Sequence, residues 1–318
     1  MPDLVWVLLA IPLMGSCAIE TERSNAPQSD AQELYADSSI EDRDTANGKE
    51  ILGPRLGEFI FIPGGTFTMG CNKGENIDER PEHIVDLSSF YIGRTPVTNA
   101  QFVRFLNDAR VTSDEYLVPQ AHFLEPSITL ADKKWVCSKG TENDAVSCGS
   151  WVLANKYCDW LSAQTGRKCR LPTEAEWEYT CRGKEGRKFP WGDSQTRMDS
   201  KIWGWRTWKS DKPNLIPVGS YPEGATPEGV CDLIGYMDEV CSDWSDPEYY
   251  AKSPRKNPQG PSKPFKVEDA KVVRGGVERP YTSGSSITRF FRDSQFFGVL
   301  PTTYLPRGWS RGATIPPK

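Results

Sequence analysis

A chain of 318 residues carries 38 Lys and Arg against 43 Asp and Glu, a formal net charge of −5. That balance excludes a protein that grips nucleic acid with its whole surface, because phosphate binding needs clustered positive charge. Nine Cys and two His, His83 and His122, exclude a three-His metal site built by one chain. A two-His iron site would consume both histidines, and no Gly-x-Ser-x-Gly elbow supplies a triad serine.

The chain opens on about ten apolar residues, Leu4 to Leu13, followed by Gly15, Ser16 and Cys17. The run is too short to span a bilayer, which takes roughly twenty residues, and reads as an export signal over 1–17. Its end resembles a bacterial lipoprotein signal, with Cys17 as the lipidation site, although Asp3 stands where Lys or Arg is usual. Residues 18–50 hold nine acidic and three basic residues and little apolar character. Such a segment cannot offset the entropy of ordering, so it is expected to be a disordered acidic tether. Most of the negative charge belongs to it, and residues 51–318, read as one domain, are close to neutral.

From Glu58 to Gly70 two short strands are predicted, joined as a hairpin at Pro63-Gly64-Gly65. A strand region follows at His83–Gly93. Thr98 with Gln101 forms a capping box that starts a helix, with Phe102, Phe105 and Leu106 on one face. Ser150 starts a second helix, with Trp151, Ala154, Cys158 and Leu161 at helical spacing. Thr173 with Glu176 caps a third, running to about Arg182. Glu174, Glu176 and Glu178 near its start complement the helix dipole rather than catalyse. Beyond Gly183, turns and short apolar runs dominate. Trp191, Trp203, Trp205 and Trp208 crowd there, as a stacking surface for a ligand or, the preferred reading, as core plugs.

Setting Cys17 aside leaves Cys71, Cys137, Cys148, Cys158, Cys169, Cys181, Cys231 and Cys241. An even number in an exported chain reads as a disulfide framework. Cys137 and Cys148, flanking a polar loop, are the best local pair. No Cys-x-x-Cys is present, which removes zinc-ribbon and thioredoxin-like readings.

The landmarks Phe67-Thr68-Met69-Gly70, Pro96-Val97-Thr98-Asn99-Ala100-Gln101-Phe102, Arg170-Leu171-Pro172-Thr173-Glu174-Ala175-Glu176-Trp177-Glu178-Tyr179, Phe189-Pro190-Trp191-Gly192, Gly229-Val230-Cys231-Asp232-Leu233-Ile234-Gly235 and Val273-Arg274-Gly275-Gly276 occur in that order. The series resembles the formylglycine-generating enzyme family, also called sulfatase-modifying factors, over about residues 58–311. The resemblance implies a single irregular α+β domain of the C-type-lectin-like type, low in regular secondary structure and, with these cysteines, disulfide-stapled.

The sequence departs from the family where the family does its chemistry. Oxidising members bind copper through two Cys just after Arg-Gly-Gly, and those positions hold Pro280 and Ser285 here. Neither can be a thiolate ligand or close a redox disulfide, so no catalytic residue is expected. An iron-dependent branch uses three His, more than this chain has. The family's calcium loop reads Gly235-Tyr236-Met237-Asp238-Glu239-Val240. Glu239 is kept and Asp238 could compensate for the Asn that Tyr236 replaces. Calcium there is the one cofactor the resemblance leaves open.

A scaffold kept without its thiols points to a non-catalytic binding or regulatory protein. The resemblance offers a periplasmic regulator, meeting the membrane only through a lipid anchor or a partner, with the outer membrane as one such location, that acts upstream of a membrane Ser/Thr kinase in type VI secretion. Its partner would be a protein, such as a receptor kinase ectodomain or an outer-membrane lipoprotein, with no nucleic acid. Arg274, Arg279, Tyr281, Arg289 and Arg292 are the expected contact residues, since Arg and aromatic side chains often anchor interfaces. The alternative is a periplasmic oxidative enzyme of the siderophore-chromophore tailoring type.

Overall fold

A computed structural model describes residues 43–44, 49–51, 56–73, 79–116, 127–146, 151–194, 216–265, 270–275, 289–292 and 314–315. The chain divides into two units, Met1–Ser39 and Ile40–Lys318, and every described element belongs to the second. The export signal and Cys17 lie outside the described residues. No helix among the described residues is long and apolar enough to cross a membrane.

The first strands correct the expected boundary of the tether. Backbone at β1 (Arg43–Asp44) and β2 (Lys49–Ile51) is paired, with β2 lying antiparallel to β3 (Glu58–Ile62). The ordered unit therefore begins before residue 51. Composition argued for disorder because few apolar side chains are present, but a strand can also be held by backbone hydrogen bonds to a neighbouring edge.

The hairpin expected at Pro63-Gly64-Gly65 is also corrected. β3 does not pair with β4 (Gly65–Met69). Instead β4 pairs with β5 (His83–Leu87) and β3 pairs with β6 (Phe90–Gly93). The reversal lies between β4 and β5, and Pro63-Gly64 is a bend partway along one arm of a long hairpin. The other arm bends at Ser88-Ser89, and Gly64 N donates to Ser89 Oγ at 2.9 Å. A Cβ on Gly64 would sit 2.5 Å from Leu87 O and 2.7 Å from Ser89 N. Glycine is required there by the closeness of the two bends. With β12 (Thr314–Ile315), these strands form a five-stranded sheet in the order β1-β2-β3-β6-β12, while β4-β5 forms a separate ribbon.

The helices follow the sequence closely. α1 (Asn99–Asp108) and α3 (Glu174–Arg182) each begin at a complete capping box, Thr98 with Gln101 and Thr173 with Glu176. α3 stops at Gly183, whose φ of 63° suits a residue without a Cβ. α2 (Trp151–Thr165) buries Ala154, Cys158 and Leu161 as its spacing predicts, with Trp151 at the edge of that face. Phe102 and Phe105 of α1 meet Tyr157 of α2 at 5.7 and 5.6 Å between ring centroids. Trp135, from the ribbon of β7 (Ile128–Ala131) and β8 (Lys134–Cys137), joins this cluster.

A second cluster gathers Ile60, Phe67, Val85, Ile92, Trp177, Cys181, Phe189 and Leu233 between the long hairpin and α3. Against α3 lies a three-stranded sheet in the order β11-β10-β9, made by Arg289–Arg292, Ala270–Gly275 and Asp238–Trp244. Every residue of the central strand β10 is buried. A strand covered on both faces reads as an apolar run, so Lys271 and Arg274 must each find partners inside. The result is an α+β fold of small helices and small sheets, as expected.

Candidate functional site

Arg274 is the last side chain of β10 before Gly275, and it is completely buried. Its Nη2 donates to Glu174 Oε1 at 2.6 Å, to Glu178 Oε2 at 3.1 Å and to Tyr250 OH at 2.8 Å. Glu174 and Glu178 are four apart on α3, so both carboxylates project from one face, one turn apart. Glu178 Oε1 also accepts from Arg182 Nη1 at 2.6 Å and Gly70 N at 2.9 Å. Four segments distant in sequence therefore share one buried network.

The neighbouring carboxylates are equally engaged. Arg170 forks onto Glu176, with both N···O distances 2.7 Å. Trp177 Nε1 donates to Glu239 Oε2 at 2.5 Å. Asp243 Oδ2 accepts from Glu174 N at 2.9 Å and from Ser242 Oγ at 3.0 Å. Burial, with the Glu174 charge beside it, pushes the Asp243 carboxyl up to about 7. Burial also raises Glu174, against the pull of Arg274. Burial works to lower Arg274, but Tyr250, Glu174, Glu178 and Glu79 outweigh it, and its guanidinium stays charged.

This geometry corrects one expectation and sharpens another. Arg274 is not a surface anchor for a partner: its side chain has no exposure and its Nη2 is turned onto α3 and Tyr250. Glu174, Glu176 and Glu178 are not a solvated first turn that merely complements the helix dipole. All three are buried and each is matched to an arginine. An intact buried network of this kind holds elements in register, and a partner removed from it leaves an uncompensated charge.

At the family's calcium loop, the side chain in the Asn position is engaged elsewhere. Tyr236, at the Asn position, donates its hydroxyl to the Ile216 carbonyl and accepts from Ala145 N at 3.3 Å. Glu239 is fully buried and holds the Trp177 indole. Among the described residues no three His, Cys, Asp or Glu side chains come together in a way that could hold a metal.

No disulfide joins the described cysteines; Cys148, the expected mate of Cys137, lies outside the described residues. Burial raises the Cys137 thiol to about 11 and the Cys181 thiol to about 12, and lifts Cys158 and Cys241 well above the ordinary range. These thiols stay protonated near neutrality, and a thiol is a poor nucleophile and metal ligand until it ionises. Arg279, Pro280, Tyr281 and Ser285 lie outside the described residues, as do Trp203, Trp205 and Trp208. Arg289 and Arg292 are the first and last residues of β11, paired through backbone with Val273 and Ala270.

Two partners were not foreseen from sequence. Tyr250 completes the Arg274 network, and Lys271 sits between two indoles, its Nζ 3.9 Å from the Trp151 ring centroid and 3.4 Å from that of Trp244. It also donates to Ser242 O at 3.0 Å. The signal available for both cations was their place in an apolar strand, Ala270-Lys271-Val272-Val273-Arg274. A charge inside such a strand has to be paired.

Comparison with known proteins agrees with this architecture. Residues 48–295 match the family described as Sulfatase-modifying factor enzyme 1-like domain. The formylglycine-generating enzyme of Streptomyces coelicolor is 36% identical over 255 residues, covering 68% of this chain and 77% of that protein. The protein named Serine/threonine-protein kinase pkn1 of Chlamydia caviae is 32% identical over 226 residues, 70% of this chain, and the chain spans only 33% of that relative's length. The structure of PvdO from Pseudomonas aeruginosa superposes with a TM-score of 0.59 at 22% identity, covering 82% of this chain and 94% of that one; the likeness is one of fold. With a family match over most of its length and the same architecture, the chain belongs to the sulfatase-modifying factor family.

Proposed function

We propose that this chain is a non-catalytic member of its family: an exported binding protein that acts on a protein partner upstream of a membrane Ser/Thr kinase, in the setting of type VI secretion. The observation that carries the reading is the pair Pro280 and Ser285 at the two positions where the family's oxidising members place copper-binding Cys. A saturated pyrrolidine ring and a hydroxyl cannot replace thiolates as soft ligands for copper. Among the described cysteines, burial keeps Cys137, Cys158, Cys181 and Cys241 protonated. The acidic segment before the domain suits a tether in the periplasm, with Cys17 as its lipid anchor. The pkn1 relative supports the link to a kinase, because it bears that name and contains the same type of domain.

The contact surface in this reading is the stretch carrying Arg279, Tyr281, Arg289 and Arg292, without Arg274. Capture of the purified periplasmic domain of the kinase by the full chain tests it. The wild type should retain that domain, and Arg279→Ala with Tyr281→Ala should weaken retention by about tenfold or more while the domain still unfolds cooperatively. Unchanged capture by the double variant overturns the placement, and no capture by the wild type overturns the kinase link.

A further inference from the structure

Residues 246–260, between β9 and β10 in the chain, form a strap held at three places. The outer hold is on β5 and the bend that follows it. There the Asp86 N–H donates to the Arg255 carbonyl at 2.7 Å, and the Asn257 N–H donates to the Asp86 carbonyl at 2.9 Å. Arg255 Nε meets Asp86 Oδ2 at 2.8 Å. The Ser88 N–H donates to Asn257 Oδ1 at 2.8 Å, and Asn257 Nδ2 donates to Ser88 Oγ at 3.0 Å. Asn257 takes a φ of 45°, a left-handed conformation that Asn tolerates better than most residues. The side chains of this hold lie at the surface.

The other two holds are inside. Tyr250 is buried, its hydroxyl donating to Glu174 Oε1 at 3.1 Å and accepting from Arg274 Nη2 at 2.8 Å. Its ring meets His83 edge-on at 4.8 Å between centroids. Gly260 lies against Asp243, so closely that a Cβ there would sit 2.6 Å from Asp243 Cβ and 2.7 Å from its Oδ1. Asp243 Oδ2 in turn accepts from Glu174 N at 2.9 Å. The strap therefore covers two buried carboxylates, Glu174 through Tyr250 and Asp243 through Gly260.

We propose that this strap opens as a unit, apart from global unfolding, and opens more readily as pH rises because opening admits water to Asp243 and Glu174. A segment that places few side chains in the interior opens at lower free energy than the core. Tyr250 and Pro258 are the buried side chains of the strap, whereas α1 and α2 share a contiguous aromatic cluster. Pro247, Pro254 and Pro258 restrict the backbone between the holds, which favours movement in one piece over gradual fraying. Opening bares the Asp86 edge of β5 and the Tyr250 side of the Arg274 network.

The sign of the pH dependence follows from what the strap covers. Burial first and Glu174 second push the Asp243 carboxyl up to about 7, and burial also raises Glu174. Glu176 of α3, Arg170 before it, Tyr249 of the strap and Cys241 of β9 also face Asp243. Lys271 of β10 reaches the Ser242 carbonyl beside it. With the strap open, hydrated Asp243 ionises nearer its ordinary 3.8. Between those two values, each rise in pH therefore favours the open form.

Hydrogen exchange of the full chain tests both parts, read as protection relative to the intrinsic rate at each pH. The reporters are the Tyr249, Lys252 and Asn257 amides of the strap and the Asp86 and Ser88 amides that it holds. They should be at least about tenfold less protected than the α1 amides and depend less steeply on added urea. Equal protection with equal urea dependence overturns the separate opening. From about pH 5 to about pH 7, strap protection should fall at least about tenfold, and Asp243→Asn should remove most of that fall. Constant protection in the wild type, or a fall as large in Asp243→Asn, overturns the link to pH. If that variant does not fold, the wild-type series decides.

Discussion

Arg274 Nη2 lies 3.1 Å from Glu178 Oε2, with neither side chain exposed to solvent. The contact joins the central strand β10 to α3 across 96 positions of sequence, and Glu174 doubles it at 2.6 Å. Because neither carboxylate can turn to water, Arg274→Met should strand buried negative charge and destabilise the domain by about 3–5 kcal/mol. Urea unfolding measures this as a large fall in midpoint. The exposed pair of Arg255 and Asp86, 2.8 Å apart, provides the control, since Arg255→Ala should leave the midpoint nearly unchanged.

Stability should fall as pH rises through the acidic-to-neutral range. The Asp243 carboxyl moves from an ordinary 3.8 to about 7 in the folded chain, by burial first and Glu174 second. Between those values the folded state keeps a proton that the unfolded state has released, so each rise in pH favours unfolding. The contribution is fully present below the lower value and is lost as pH passes the upper one. Glu174, raised by burial, acts with the same sign. Asp243→Asn should flatten the slope of unfolding free energy against pH over that window, and a slope equal to the wild type's contradicts the assignment.

Gly64→Ala should destabilise the domain by about 1–3 kcal/mol, the usual scale for forcing added volume into a packed site. The new methyl meets backbone, at Leu87 O and Ser89 N, rather than the flexible end of a side chain. Gly140→Ala tests whether the effect is one of space. That glycine has no atom within 4 Å of its would-be Cβ but carries a φ of 85°, so any loss there reports backbone strain alone. Thermal melts of the two variants separate the causes.

Thr173→Ala should cost roughly 0.5–2 kcal/mol, because the Thr173 hydroxyl accepts from Glu176 N at 3.2 Å at the start of α3. Ser at this position should restore most of the loss. Circular dichroism during urea unfolding follows both variants.

Features set by residues a few positions apart were legible in the sequence. Thr98 with Gln101 and Thr173 with Glu176 cap their helices because a capping box reads across three positions. The bend at Pro63-Gly64 was legible as a break but not as a bend within an arm, since its meaning depends on Ser89, 25 positions away. Arg274 was misplaced for the same reason: its partners on α3 lie 96 and 100 positions upstream. An arginine in an interface and an arginine in a buried network look alike until the opposing carboxylates are brought together. The paired backbone at Lys49–Ile51 escaped a composition argument because strand pairing there engages main chain.

The central claim is that the family scaffold persists here without the family's thiol chemistry. The most direct measurement loads the purified full chain with copper and supplies oxygen and a peptide carrying a sulfatase-type Cys motif, then follows aldehyde formation by mass spectrometry. Pro280 and Ser285 predict no aldehyde, with the peptide Cys recovered intact. Aldehyde produced in proportion to the protein, over repeated turnovers, would contradict the account.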